Sequence, residues 1–80
     1  MRLQLTLHNL RSGESGVVRA LTARGTQRRR LLDLGFVPGA LIKTERKSPF
    51  GDPIAYRVRG AVIALRKEET ALIFVTKILC

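Results

Sequence analysis

His8 and Cys80 are the only imidazole and the only thiol in this sequence, so the usual nitrogen and sulfur ligands of transition metals number one each. Glu14, Asp33, Glu45, Asp52, Glu68 and Glu69 add carboxylates, but no His-x₃-His or Cys-x₂-Cys spacing gathers them into a ligand set. No resident metal site and no cofactor are expected, and Cys80 reads as an exposed thiol. Catalysis has no better footing. Nothing resembling a Ser/His/Asp set can be arranged around His8, and no two carboxylates are paired. Gly35-Phe36-Val37-Pro38-Gly39 lacks the lysine that a phosphate-binding loop requires. The expectation is a protein that is not an enzyme.

The chemistry the chain does offer is positive charge. Fifteen Lys and Arg stand against six Asp and Glu, a formal net charge of +9. Most of the cations fall into three sets: Arg24 with Arg28–Arg30, then Lys43, Arg46 and Lys47, then Arg57, Arg59, Arg66 and Lys67. A solvated cationic surface is one reading. The others are attraction to an acidic partner, to the anionic inner leaflet, or to nucleic acid. Small barrels that bind nucleic acid do so through aromatic platforms on which bases stack. Here Phe36, Phe50, Tyr56 and Phe74 are scattered, with Tyr56 and Phe74 reading as core. Nucleic acid is the alternative, and an unlikely one.

The elements that must carry these charges are short. A chain of 80 residues is expected to form one domain, residues 1–80, burying roughly 60% of its unfolded surface. The hydrophobic fraction of 45% is that of a globular protein, and the absence of Trp makes the core aliphatic. One cysteine allows no internal disulfide, which suits a reducing cytoplasm. Met1–Leu5 lacks a secretion signal's apolar block, and no apolar run approaches the roughly 20 residues of a membrane span. A soluble cytoplasmic protein is expected.

Leu3–Leu7 alternates as a short strand, although Thr6 could equally cap a helical turn over Leu7–Leu10. Arg11–Gly16 is a turn and Val17–Thr22 a β-branched strand. A two-turn helix runs over Gln27–Leu34, with Gly25-Thr26 as its cap and Gly35 in the left-handed position after it. Arg28–Arg30 in its first turn oppose the helix dipole, at a cost of about a few tenths of a kcal/mol each. Ala40–Lys47, Ile54–Arg59, Ala61–Leu65 and Leu72–Ile78 read as strands, with Arg66–Thr70 as one tight helical turn. In Ile54–Arg59 the alternation puts Ile54, Tyr56 and Val58 inward and Arg57 and Arg59 together on an outer face. The fold class is mainly β: a small SH3-like barrel of five or six strands with one short inserted helix.

Two elements interrupt the strands. Leu34-Gly35 to Pro38-Gly39 has a conformational duty at every residue and reads as architecture, as does the turn at Gly60. Pro49-Phe50-Gly51-Asp52-Pro53 cannot be regular structure, because Pro49 and Pro53 remove donors. It is either a rigid turn or a partner-contact tip that holds Phe50 outward as an anchor. Phe50, Gly51, Asp52, Arg57 and Arg59 are the partner-contact candidates.

Taken in order, Arg30-Leu31-Leu32-Asp33-Leu34-Gly35-Phe36-Val37-Pro38-Gly39, Ser48-Pro49-Phe50-Gly51-Asp52-Pro53-Ile54, Arg57-Val58-Arg59-Gly60 and Ile63–Glu68 resemble the ferrous iron transport protein A family, FeoA, from about Leu5 to Val75. The Leu-Gly-x-x-Pro-Gly and Pro-x-Gly-Asp-Pro elements lie about ten residues apart, as in that family. The resemblance implies a cytoplasmic SH3-like barrel serving bacterial ferrous iron uptake. Its implied partner is FeoB, the inner-membrane iron transporter with a cytoplasmic G-protein domain, beside which the protein would be peripheral to the membrane. The same barrel closes iron-dependent repressors of the diphtheria-toxin-repressor type, so a metal-responsive module is a further alternative. Phe50 stands where many members carry a smaller aliphatic, and +9 is more basic than the resemblance leads one to expect.

Overall fold

The computed structural model describes residues 5–78. In chain order the elements are β1 (Leu5–Thr6), a 3₁₀ turn (Leu7–Asn9), β2 (Ser15–Leu21), α1 (Gly25–Leu34), β3 (Leu41–Lys47), β4 (Ile54–Val58), β5 (Ala61–Leu65), α2 (Lys67–Thr70) and β6 (Ile73–Ile78). All strand pairs are antiparallel, in the order β1-β6-β2-β3-β4-β5. β2 pairs with both β3 and β6, and its register breaks between Val18 and Ala20; β3 breaks likewise between Thr44 and Arg46. Such bulges bend a strand, and these two curl the sheet around one core. The α2 turn packs against the 3₁₀ turn, joining the two ends of the sheet. This is the mainly β, SH3-like barrel with an inserted short helix.

Of the Leu3–Leu7 strand reading, Leu3 and Gln4 lie outside the described residues; Leu5–Thr6 is extended and the 3₁₀ turn over Leu7–Asn9 follows at once, so both readings of the segment hold in part. The Asn9 carboxamide oxygen accepts from the Thr6 N–H at 2.9 Å and the Thr6 hydroxyl at 3.0 Å, which closes that turn. The first reversal is tighter than expected. Glu14 accepts the Arg11 N–H at 2.7 Å, so β2 starts at Ser15 instead of Val17. The helix differs too. Arg24, extended at φ −131°, holds the N-cap position, and Gly25 and Thr26 lie inside the first turn. No side chain caps that end, but the Arg28 guanidinium donates to the Leu21 carbonyl at 3.2 Å and ties the helix to β2.

The core comprises Leu7, Leu10, Val18, Leu31, Ile42, Ile54, Val58, Leu65, Ile73 and Val75, with Phe36 and Tyr56 as its aromatic members. Each such large side chain contributes about 1.5–3 kcal/mol on burial. Phe36 enters because Gly35 ends the helix at φ +109° and the Phe36 N–H returns to the Leu31 carbonyl at 3.0 Å. Phe74 is only half-buried, since Ile73 and Val75 take the inner positions of β6. Ile54, Tyr56 and Val58 face inward. Arg59 is not on a strand: at φ 52° it forms, with Gly60 at φ 81°, the two-residue turn between β4 and β5.

Candidate partner-binding site

A groove of about 700 Å³ opens where β3 leaves the Val37–Ala40 turn and β4 meets the Arg59–Gly60 turn. Its apolar lining is Val37, Pro38, Ala40 and Leu41, and its cations are Lys43, Arg57 and Arg59. The alternation of β3 builds this surface. Ile42 and Thr44 are buried, so Leu41 and Lys43 must face out, and Leu41 is left 59% exposed. Lys43 stands directly across from Arg57, which stands across from Val62, itself 53% exposed.

The charges on this face are unequal. The Arg57 guanidinium donates to Glu45 at 2.7 Å, and that contact holds the Glu45 carboxyl below its ordinary value. Lys43 and Arg59 have no ion-pair partner among the described residues. The pairing leaves a net positive groove with an apolar floor, suited to an acidic segment that brings an apolar side chain.

The Pro49–Pro53 loop lies at the other end of the same hairpin. The five residues of β4 separate the two ends by about 17 Å at 3.4 Å per residue. Phe50 is 96% exposed at the loop tip. Its neighbours are fixed: the Gly51 N–H donates to the Ser48 carbonyl at 2.8 Å, and the Asp52 N–H to Ser48 Oγ at 2.9 Å. Asp52 Oδ1 accepts the Lys67 N–H at 2.8 Å, anchoring the loop to α2. Asp52 is thus engaged within the molecule, and Phe50 is the group left for a partner.

The five partner-contact candidates therefore divide. Phe50, Gly51 and Asp52 sit at the loop tip, while Arg57 and Arg59 sit on the groove. Of the motif residues, Pro38, Gly39 and Gly60 line the groove, and Leu34 packs against the core beside the Gly35 cap. Pro49 and Pro53 bracket the tip. Leu41 and Val62 were missed as candidates. Each sits in a run that reads as strand, and the outward parity of Leu41 against buried Ile42 and Thr44 was the signal that could have found it.

Among the described residues no three His, Cys, Asp or Glu side chains converge as a metal site would require. His8 is half-buried in the 3₁₀ turn, and Cys80 lies outside the described residues. Phe36 and Tyr56 are interior, Phe74 is half-buried on β6, and Phe50 is exposed at its loop tip. No helix is long and apolar enough to cross a membrane.

The class these features define is a small SH3-like barrel whose exposed chemistry is cationic and apolar. The FeoA domain family model matches residues 5–77, and the chain belongs to the FeoA family. The Fe(2+) transport protein A/Fe(2+) transporter FeoB fusion protein of Porphyromonas gingivalis is 35% identical over 69 residues. That match covers 86% of this chain but only 8% of the fusion protein. The FeoA protein of Chlorobium tepidum superposes with a TM-score of 0.87 at 36% identity, covering 94% of this chain and 71% of the other. FeoA of Stenotrophomonas maltophilia, described as a procaryotic SH3 domain protein and solved in complex with zinc, gives a TM-score of 0.80 at 33% identity, covering 90% and 89%. A manganese-dependent transcriptional repressor shares the fold at a TM-score of 0.84 and 18% identity, over 98% of this chain and 44% of its own.

Proposed function

We propose that this protein serves ferrous iron uptake as a non-catalytic accessory domain that binds the FeoB transporter and modulates it. The observation that carries this reading is covalent: in the Porphyromonas gingivalis relative, an FeoA-like segment and FeoB share one chain. Fusion of two domains replaces a binding event by an effective concentration, which is useful only where the two act together. In the present protein, residues 1–80 act as a single domain that meets the transporter through its own surface. Iron is the transporter's cargo. The protein works in the cytoplasm, at the inner membrane through its partner, and its net charge of +9 favours an acidic docking surface and the anionic leaflet beside it.

Two contact regions support the reading. The Phe50 tip is an apolar anchor on a loop that needs little ordering, and the Lys43–Arg57–Arg59 groove supplies the charge. Calorimetry with the cytoplasmic part of FeoB tests it. Phe50→Ala and Arg59→Glu should each weaken binding while the fold is kept. Absence of binding by the unaltered protein, together with steep salt-dependent binding to DNA or RNA, would reverse the assignment.

A further inference from the structure

The sheet ends in two edges of different construction. Among the described residues β1, at one edge, spans only Leu5–Thr6. β5, at the other, runs for five residues, Ala61-Val62-Ile63-Ala64-Leu65, in unbroken register with β4. It contains no charged residue, no proline and no bulge, the devices by which proteins blunt an exposed edge.

The parity of β5 shows which backbone groups are free. Arg59 and Gly60 both have positive φ, so the β4–β5 connection is a two-residue hairpin that Val58 and Ala61 close as a hydrogen-bonded pair. Bonded and non-bonded pairs then alternate: Tyr56–Ile63 and Ile54–Leu65 are bonded, Arg57–Val62 and Ala55–Ala64 are not. The N–H and C=O of Val62 and Ala64 therefore point away from β4. No backbone partner takes them among the described residues. Ala61, Val62 and Ala64 are all exposed. Beside Ala64 a cleft of about 580 Å³ is lined by Gln27 and Arg30 of α1 and by Arg66.

Charge selects the occupant. Arg59 precedes the strand and Arg66 follows it, and neither is in an ion pair among the described residues. Arg57 stands directly across from Val62. Glu68 and Glu69 also border the cleft, and Glu69 is already paired with Arg30. A second copy would bring another net charge of +9 and set Arg66 of one molecule against the Arg59–Gly60 turn of the other. We propose that the free edge of β5 is a strand-addition site that takes an extended segment of another protein with acidic residues at its flanks. The backbone of Val62 and Ala64 supplies the pairing, and Arg59 and Arg66 supply the selection. This inference does not rest on the transporter reading.

The test is nuclear magnetic resonance titration of the full chain with a short synthetic peptide that alternates Val and Thr between Glu-rich ends. A second peptide with Lys-rich ends is the control. The Val62 and Ala64 amides should shift and exchange more slowly with solvent, and the Glu-flanked peptide should bind at least about tenfold tighter than the control. Val62→Pro removes an outward N–H while sparing the β4 ladder, and should abolish binding. Should that variant fail to fold, Arg66→Glu decides, with an expected loss of about tenfold. Failure of the Glu-flanked peptide to bind, equal binding of the two peptides, or shifts confined to the Phe50 loop would overturn the proposal. So would a concentration-dependent dimer that Val62→Pro dissolves, because it would give the edge to a second copy. Peptide binding by a protein that fails to bind the cytoplasmic part of FeoB in calorimetry would overturn the function proposed above and leave this site standing.

Discussion

Adding one methyl group to Gly35 separates two physical effects that coincide at that residue. Gly35 ends α1 at φ +109°, where a side chain costs roughly 1–2 kcal/mol. A Cβ there would also come within 3.2 Å of Val58 Cγ2 and 3.5 Å of Arg59 Cδ. The first is inside the roughly 3.5–4.0 Å optimum for carbon atoms, and overpacking of this kind typically costs about 1–3 kcal/mol. Gly35→Ala should therefore destabilise by about 2–5 kcal/mol. Gly51 is the control. At φ +79° it carries comparable backbone strain, but nothing lies within 4 Å of the added atom. Gly51→Ala should cost only about 1–2 kcal/mol. For a chain of 80 residues the midpoint moves about 4–8 °C per kcal/mol, so the two variants should melt roughly 8–40 °C and roughly 4–16 °C lower. Thermal unfolding followed by circular dichroism reads both. Equal losses would refute the packing argument, since they would mean that Val58 yields to the methyl group at no cost.

Phe50→Ala should leave stability within about 0.5 kcal/mol in urea unfolding, because the ring is 96% exposed; a larger loss would show that the ring packs on the barrel. Tyr56→Phe should cost about 0.5–1.5 kcal/mol, since the buried Tyr56 hydroxyl donates to the Leu7 carbonyl at 3.3 Å and ties β4 to the 3₁₀ turn. Leu31→Ala should destabilise by about 2–5 kcal/mol in the same measurement and loosen α1, whose one fully buried side chain is Leu31. Stability should also decline in acid. The contact with Lys77 lowers the Glu14 pKa and that with Arg57 lowers the Glu45 pKa, each from an ordinary value of 4.5. A carboxylate whose folded pKa is depressed gives stability that is full above the unfolded value and lost as pH falls through the folded one. The urea midpoint should accordingly fall as pH drops below about 4.5, with a shallower slope in a Glu14→Gln/Glu45→Gln variant.

Much of the fold was legible because its signals are local. The alternation of Ile54, Tyr56 and Val58 fixed the inward face of β4, and the Gly35 stop fixed the end of α1. Leu34-Gly35 and Pro38-Gly39, with the Pro49–Pro53 loop, carried the family. The boundaries that moved did so for reasons that span elements. β2 gained Ser15 and Gly16 because both pair with β3 and with β6. The helix lost its expected cap because Arg24, not Gly25 or Thr26, reached the N-cap position. Phe74 passed from core to half-buried because Ile73 and Val75 claimed the inner side of β6.

The candidate surface was legible only in part. Phe50 stood out as an apolar side chain between two prolines, and its exposure agrees with that reading. The grouping of Phe50 with Arg57 and Arg59 had nothing local to correct it, since they are near in sequence and lie at opposite ends of one hairpin. Leu41 and Val62 looked like ordinary strand residues because composition cannot tell which side of a sheet is covered.

The sequence alone determined the charge, a core that is aliphatic but for Phe36 and Tyr56, the turns and the family, since all of these depend on residue type and short-range spacing. Only the tertiary structure decided where the cations gather and which edge stays open. Those outcomes follow from strand order and bulges, because pairing between β3, β4 and β5 places Lys43, Arg57 and Val62 in one row while no strand of the described residues pairs with the outer side of β5. A row across a sheet joins residues far apart in the chain, and no reading along the chain contains it.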